Sequence, residues 1–83
     1  MSGKVWSKNL RYEPRTVEQA LAYLVEECGE VLAAAGKSQR CGLGAFNPEA
    51  PEAERETNES WLLRELRDLE IAIELVRLFV GRA

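Results

Sequence analysis

Residues 16–36 read TVEQALAYLVEECGEVLAAAG, and the reading of the whole chain grows from them. Thr16-Val17-Glu18-Gln19 matches a capping box, in which a Thr hydroxyl and a side chain three residues on satisfy the first free amides of a helix. A helix is therefore expected from Val17. Its apolar positions Val17, Ala20, Leu21, Leu24, Val25, Cys28, Val31, Leu32 and Ala35 recur at steps of three and four, which gathers them into one stripe. Gly36 is the expected stop, giving a helix over 17–36.

A second helix is expected over 58–80, with Asn58 or Ser60 as cap and Gly81 as terminator. Leu62, Leu66, Leu69, Ile73, Val76 and Val80 form one apolar line and Trp61, Ala72, Leu75 and Phe79 a second beside it. A helix apolar on most sides is normally buried on most sides. Two helices cannot surround one of their own members, so the expected fold is all-α. Two long antiparallel helices and a short N-terminal segment (1–15) would assemble as a dimer or higher oligomer into a core resembling a four-helix bundle. Between the helices, 37–57 is expected to be loop, with 37–46 as a working segment and 48–56 as a solvated acidic spacer.

Composition narrows the function. The 83 residues are 46% hydrophobic and 30% charged, as in a single globular domain spanning 1–83. A net charge of −3 lacks the basic footprint of a nucleic-acid binder. No apolar run is long enough to cross a bilayer and the N-terminus has no signal-peptide core, so no membrane partner and a cytoplasmic location are expected. Cys28 and Cys41 are too few for a disulfide framework, and Cys28 is expected to be a small buried thiol. The absence of His leaves no Cys/His zinc site and no Ser/His or Cys/His catalytic pair.

Carboxylates remain, and several stand where a charge is costly. On a 100° helical step, Glu27 and Glu30 fall at the edge of the first apolar stripe, with Glu26 further out. Glu65 and Asp68 share the line of Trp61, Ala72, Leu75 and Phe79. Buried, clustered carboxylates raise one another's pKa and demand cations. Two readings follow: an oxygen cage for a hard divalent ion such as Mg²⁺ or Mn²⁺, or ordinary surface pairs with Arg64, Arg67 and Arg77.

Glu26-Glu27-Cys28-Gly29-Glu30 followed by Glu65-Leu66-Arg67-Asp68 resembles the EExxE…ExxD signature of the MazG-like, all-α nucleoside triphosphate pyrophosphohydrolases, and the stretch Gly36-Lys37-Ser38-Gln39-Arg40-Cys41-Gly42-Leu43 with Asn58 resembles their small phage and prophage members. The likeness runs from about Thr16 to Leu75. It implies Mg²⁺-dependent hydrolysis of a nucleoside triphosphate substrate to monophosphate and pyrophosphate, as nucleotide-pool cleaning, in a homo-oligomer. Glu27, Glu30, Glu65 and Asp68 match the family's metal ligands. Glu26 matches the extra acid that orients or deprotonates water. The 34 residues between Glu30 and Glu65 exceed the spacing in most members, and the acidic spacer accounts for the excess.

Lys37 and Arg40 are candidates for phosphate contact, or simply complement the helix dipole. Asn58 is a candidate substrate contact or a cap. Trp6 and Trp61 could stack on a base, although Trp61 also suits core packing. Two readings of another kind stand beside the enzyme: a non-catalytic nucleotide- or metal-binding module, and a structural oligomerisation protein using the apolar surface of 61–80.

Overall fold

Thr16 sits in extended backbone and its Oγ1 accepts the Gln19 amide at 3.1 Å, so helix α1 (Val17–Cys41) begins where the capping box places it. The return half of the box is offset by one residue, because Gln19 Oε1 accepts from the Arg15 amide at 2.8 Å. These contacts are seen in a computed structural model that describes residues 13–81. Most of the expected N-terminal segment, Trp6 included, lies outside the described residues.

α1 does not stop at Gly36. It continues five residues further, because Lys37 to Arg40 carry good helix formers and nothing there forces the backbone out of the helical region. The residue that does leave it is Gly42, at φ 102° and ψ 152°, whose amide closes the last turn on the Ser38 carbonyl at 2.8 Å. Lys37 and Arg40 therefore belong to the final turns of a helix and not to a loop.

The connection of 42–57 is shorter and better built than expected. The 48–56 stretch is mostly exposed, but it is not a loose spacer. Arg55 donates to the Pro48 and Ala50 carbonyls at 2.9 and 3.1 Å and lies 5.3 Å from the Phe46 ring centroid. A 3-10 turn covers Glu52–Glu54. The amides of Asn58 and Glu59 then bond the carbonyls of Ala45 and Leu43 at 2.9 and 2.8 Å, tying the start of the second helix to the loop.

Helix α2 (Asn58–Gly81) is capped by Thr57 and not by Asn58 or Ser60. Thr57 Oγ1 accepts the Ser60 amide at 3.2 Å, and its carbonyl accepts from Trp61. The Asn58 side chain is free of capping duty and crosses to the Gly42 carbonyl at 2.9 Å.

The two helices pack as an antiparallel hairpin along Ala20, Tyr23 and Ala34 of α1 and Glu65 and Ala72 of α2. Small residues at the seam bring the helices close, and among the described residues no large side chain is fully buried. The single α1 stripe expected from periodicity divides in two. Ala20 and the half-buried Leu24 and Val31 face the seam, whereas Leu21, Val25, Cys28 and Leu32 are exposed, Val25 at 70% and Leu32 at 73%. Cys28 is consequently an exposed thiol rather than a buried one, as is Cys41.

Leu21, Val25, Cys28 and Leu32 stand one residue on from the α1 seam line. Leu62, Leu66, Leu69, Ile73 and Val80 stand one residue on from the α2 seam line. In antiparallel right-handed helices the same rotational offset points to the same side of the pair. One face of the hairpin is thus apolar. The opposite face carries Gln19, Glu26, Glu30, Arg64 and Arg67, with Ile71 and Leu78 toward the C-terminal end of α2. Among the described residues no helix is long and apolar enough to cross a membrane.

Candidate functional site

Glu27 on α1 and Glu65 and Asp68 on α2 meet in the seam, each offering a carboxylate oxygen within 4.8 Å of the others. Local helix geometry explains the pairing within α2, since i and i+3 share a face. The meeting with Glu27 depends on how the hairpin sets the register between the two helices. Glu65 is 5% exposed, and Glu27 and Asp68 are half-buried.

Glu30 and Glu26 do not join the three. Both are exposed, because Glu30 is rotated from Glu27 toward the polar face and Glu26 stands further round. Their charges still reach the cluster: Glu30 contributes to raising Glu65, and both contribute to raising Glu27.

Electrostatically the cluster is short of positive charge. Burial, then Asp68, Glu65, Glu26 and Glu30 in turn, push the Glu27 pKa up to about 7. Burial also raises Glu65, while Arg64 and the nearby Trp61 indole oppose the rise. Among the described residues the ion pair to the cluster comes from Arg64, whose Nη1 lies 3.1 Å from Glu65 Oε2. Arg64 also grips Glu56 through Nε at 3.2 Å and Nη2 at 2.9 Å, and Glu56 is the main reason its own pKa is raised. The alternative of surface pairing is thus met in part, by Arg64 on Glu65. Arg77 pairs with Glu74 elsewhere.

Glu27 Oε1 and Asp68 Oδ1 are buried and have no hydrogen-bond partner among the described residues. A buried carboxylate oxygen left so costs on the order of 1–3 kcal/mol or more. Two such atoms facing a third carboxylate form a donor set suited to a hard, oxygen-preferring divalent cation. Glu27, Glu65 and Asp68 fit that group, with Glu30 at the rim.

At the loop end of the same seam lies a cavity of about 450 Å³, lined by Lys37, Cys41, Phe46, Glu56, Asn58 and Trp61 among others. Asn58 is buried. Trp61, whose place on the apolar line favours core packing over base stacking, is half-buried and forms part of this wall. Of the candidate substrate contacts, Lys37 and Asn58 line the cavity. Arg40 is exposed on the last turn of α1 and is not among the lining residues. Phe46 closes the expected working segment 37–46, but the sequence does not single it out because its loop has no periodicity. The signal that could have found it is Arg55, the one basic residue in an acidic stretch.

Comparisons with protein families, with curated proteins and with solved structures find no match.

Proposed function

We propose that the protein hydrolyses (deoxy)nucleoside triphosphates to the monophosphate and pyrophosphate in a Mg²⁺-dependent reaction, Mn²⁺ being an alternative ion, and so serves to clear nucleotides from the cytoplasmic pool. The observation that carries this reading is the convergence of Glu27, Glu65 and Asp68 with two buried, unpartnered oxygens. The motif resemblance, which includes the same three acids, agrees with it.

A divalent cation on these three carboxylates would neutralise phosphate charge and act as a Lewis acid. The chain's own residues supply the rest. Glu27, Glu65 and Asp68 hold the negative charge that fixes the ion's place, with Arg64 and Glu56 restraining Glu65. Glu30, exposed at the rim, is the fourth ligand of the proposal. Glu26, on the solvent side of Glu27, is the acid assigned to orient the attacking water and accept its proton. Lys37 and Asn58 on the cavity wall are the substrate contacts; Arg40 retains only a long-range charge. No protein nucleophile is needed, which accords with a chain lacking His.

The proposed unit is a homodimer formed by stacking two apolar hairpin faces. That face favours a second reading, in which the chain is chiefly an oligomerisation module and the acids bind metal or nucleotide without turnover. A hydrolysis screen over ribo- and deoxyribonucleoside triphosphates, resolving monophosphate from pyrophosphate, separates the readings. The enzyme reading expects Mg²⁺-dependent pyrophosphate release that Glu65→Gln abolishes. Release of no product, with nucleotide raising the melting temperature only when Mg²⁺ is present, would move the assignment to the binding module.

A further inference from the structure

We infer that the cavity between Phe46 and Trp61 is a nucleobase site, so that the 42–57 connection, and not the acid cluster, selects which nucleotide is processed. The inference rests on the hydrolase reading for its place in a reaction, but it stands on separate observations.

The volume of about 450 Å³ suits a small planar ligand with its sugar. Two aromatic side chains, Phe46 from the loop and Trp61 from α2, line it, and aromatic rings are the common platform on which bases stack. Asn58 is 6% exposed and held in place, because its Nδ2 is committed to the Gly42 carbonyl. Its Oδ1 is thereby fixed as an acceptor, suited to the amino or ring N–H of a base edge. An immobilised amide beside aromatic walls discriminates, since a ligand lacking the matching donor leaves it unpaired.

The wall is also braced before any ligand arrives. Arg55 holds the Pro48 and Ala50 carbonyls and covers Phe46, while the Asn58 and Glu59 amides tie Ala45 and Leu43 to α2. A preorganised wall loses little freedom on binding. Its distance from the acids is right: Trp61 precedes Glu65 by one helical turn, roughly 6 Å along the axis, about the span of a sugar and its first phosphate group. Arg64, bridging Glu56 of the cavity wall and Glu65 of the cluster, links the two places physically.

The test uses Trp61 fluorescence in the full chain carrying Trp6→Phe, so that a single tryptophan reports. Adenosine, guanosine, cytidine, uridine and thymidine are titrated without metal, with ribose as the baseless control. The expected result is saturable quenching by at least one nucleoside, none by ribose, and at least a tenfold weakening in Phe46→Ala with helicity unchanged. Phe46→Leu, which keeps the apolar volume, should weaken binding as well. In the hydrolysis assay Phe46→Ala should raise KM at least tenfold and flatten the ranking of bases. Absence of saturable quenching by every nucleoside overturns the inference, as does quenching indifferent to both Phe46 variants. Hydrolysis whose KM and base ranking ignore Phe46 overturns it while leaving the hydrolase reading intact. Saturable, Phe46-dependent binding with no pyrophosphate release overturns the hydrolase reading and leaves the base site standing.

Discussion

Arg64 and Glu65, neighbours in sequence on α2, form an ion pair at 3.1 Å between a side chain 40% exposed and one 7% exposed. Adjacent helical residues usually diverge, and here the long Arg side chain folds back over the carboxylate while holding Glu56 with its other nitrogens. Arg64→Met should strip Glu65 of its ion pair and lower metal-free stability at pH 8 by about 1 kcal/mol, the discount from a buried pair reflecting Arg64's exposure. Urea denaturation with and without Mg²⁺ checks this, the variant gaining more from Mg²⁺ than the parent. Equal stability of variant and parent would show that the pair contributes nothing.

Glu27→Gln and Asp68→Asn each remove a charge from a cluster in which like charges repel. Both should abolish pyrophosphate release, while the metal-free melting temperature at pH 8 rises or holds. Circular dichroism and product analysis on the same samples check the pair of outcomes. Loss of helicity in both variants would give the acids a structural role instead.

The pH dependence follows from Glu27, whose carboxyl in the folded chain titrates near 7, above the usual 4.5. Between these values the native state binds more protons than the unfolded chain, so stability falls as pH rises. The contribution is full below about 4.5 and lost through about 7. Mg²⁺ competes with that proton, and its stabilising effect should therefore grow from pH 5.5 to pH 8. Thermal melts across this range test the sign, and a Mg²⁺ shift larger at pH 5.5 than at pH 8 would contradict it.

Leu32 and Leu66 lie on the apolar face of the hairpin, one on each helix. Leu66→Glu and Leu32→Glu should each convert the proposed dimer to monomer in sedimentation at micromolar concentration and lower the melting temperature. The same substitution at Leu63, also exposed but off that face, should leave the sedimentation unchanged. A parent protein that sediments as a stable monomer would defeat the assembly altogether.

Gly42 holds φ 102° and ψ 152°, outside the regions open to residues with a Cβ, although the space around it is clear. Gly42→Ala should therefore cost about 1–3 kcal/mol through backbone strain alone. Because the Gly42 carbonyl accepts from Asn58 Nδ2, nucleoside binding in the cavity should weaken with it. Chemical denaturation and the Trp61 titration read the two effects separately.

Much of this was legible before any coordinates. The start of α1 at Val17 and the amphipathic run of α2 follow from Thr16, Gln19 and the spacing of Leu62, Leu66, Leu69 and Ile73, all interactions within one or two turns. The anomaly of acids on or beside an apolar line pointed to Glu27, Glu30, Glu65 and Asp68, of which Glu27, Glu65 and Asp68 meet and Glu30 does not. The reading failed at two helix ends, where residue type alone did not decide the outcome. Gly36 looks like a terminator by type, but the backbone turns only where the chain must cross to α2, at Gly42. Asn58 looks like a cap, but Thr57 performs that task and Asn58 reaches back sixteen residues to Gly42.

Helix formation and capping are local: each amide finds a carbonyl four residues away, so residue order alone specifies two helices, their polarity and which lines of each are apolar. The meeting of Glu27 with Glu65 and Asp68 and the cavity lined by Phe46 and Trp61 are set by the register between helices and by the connection. That register comes from the close packing of Ala20, Ala34 and Ala72 and from a connection whose hydrogen bonds run between residues 42–45 and 58–59. No periodic pattern encodes such contacts, since they arise only when the chain has closed on itself.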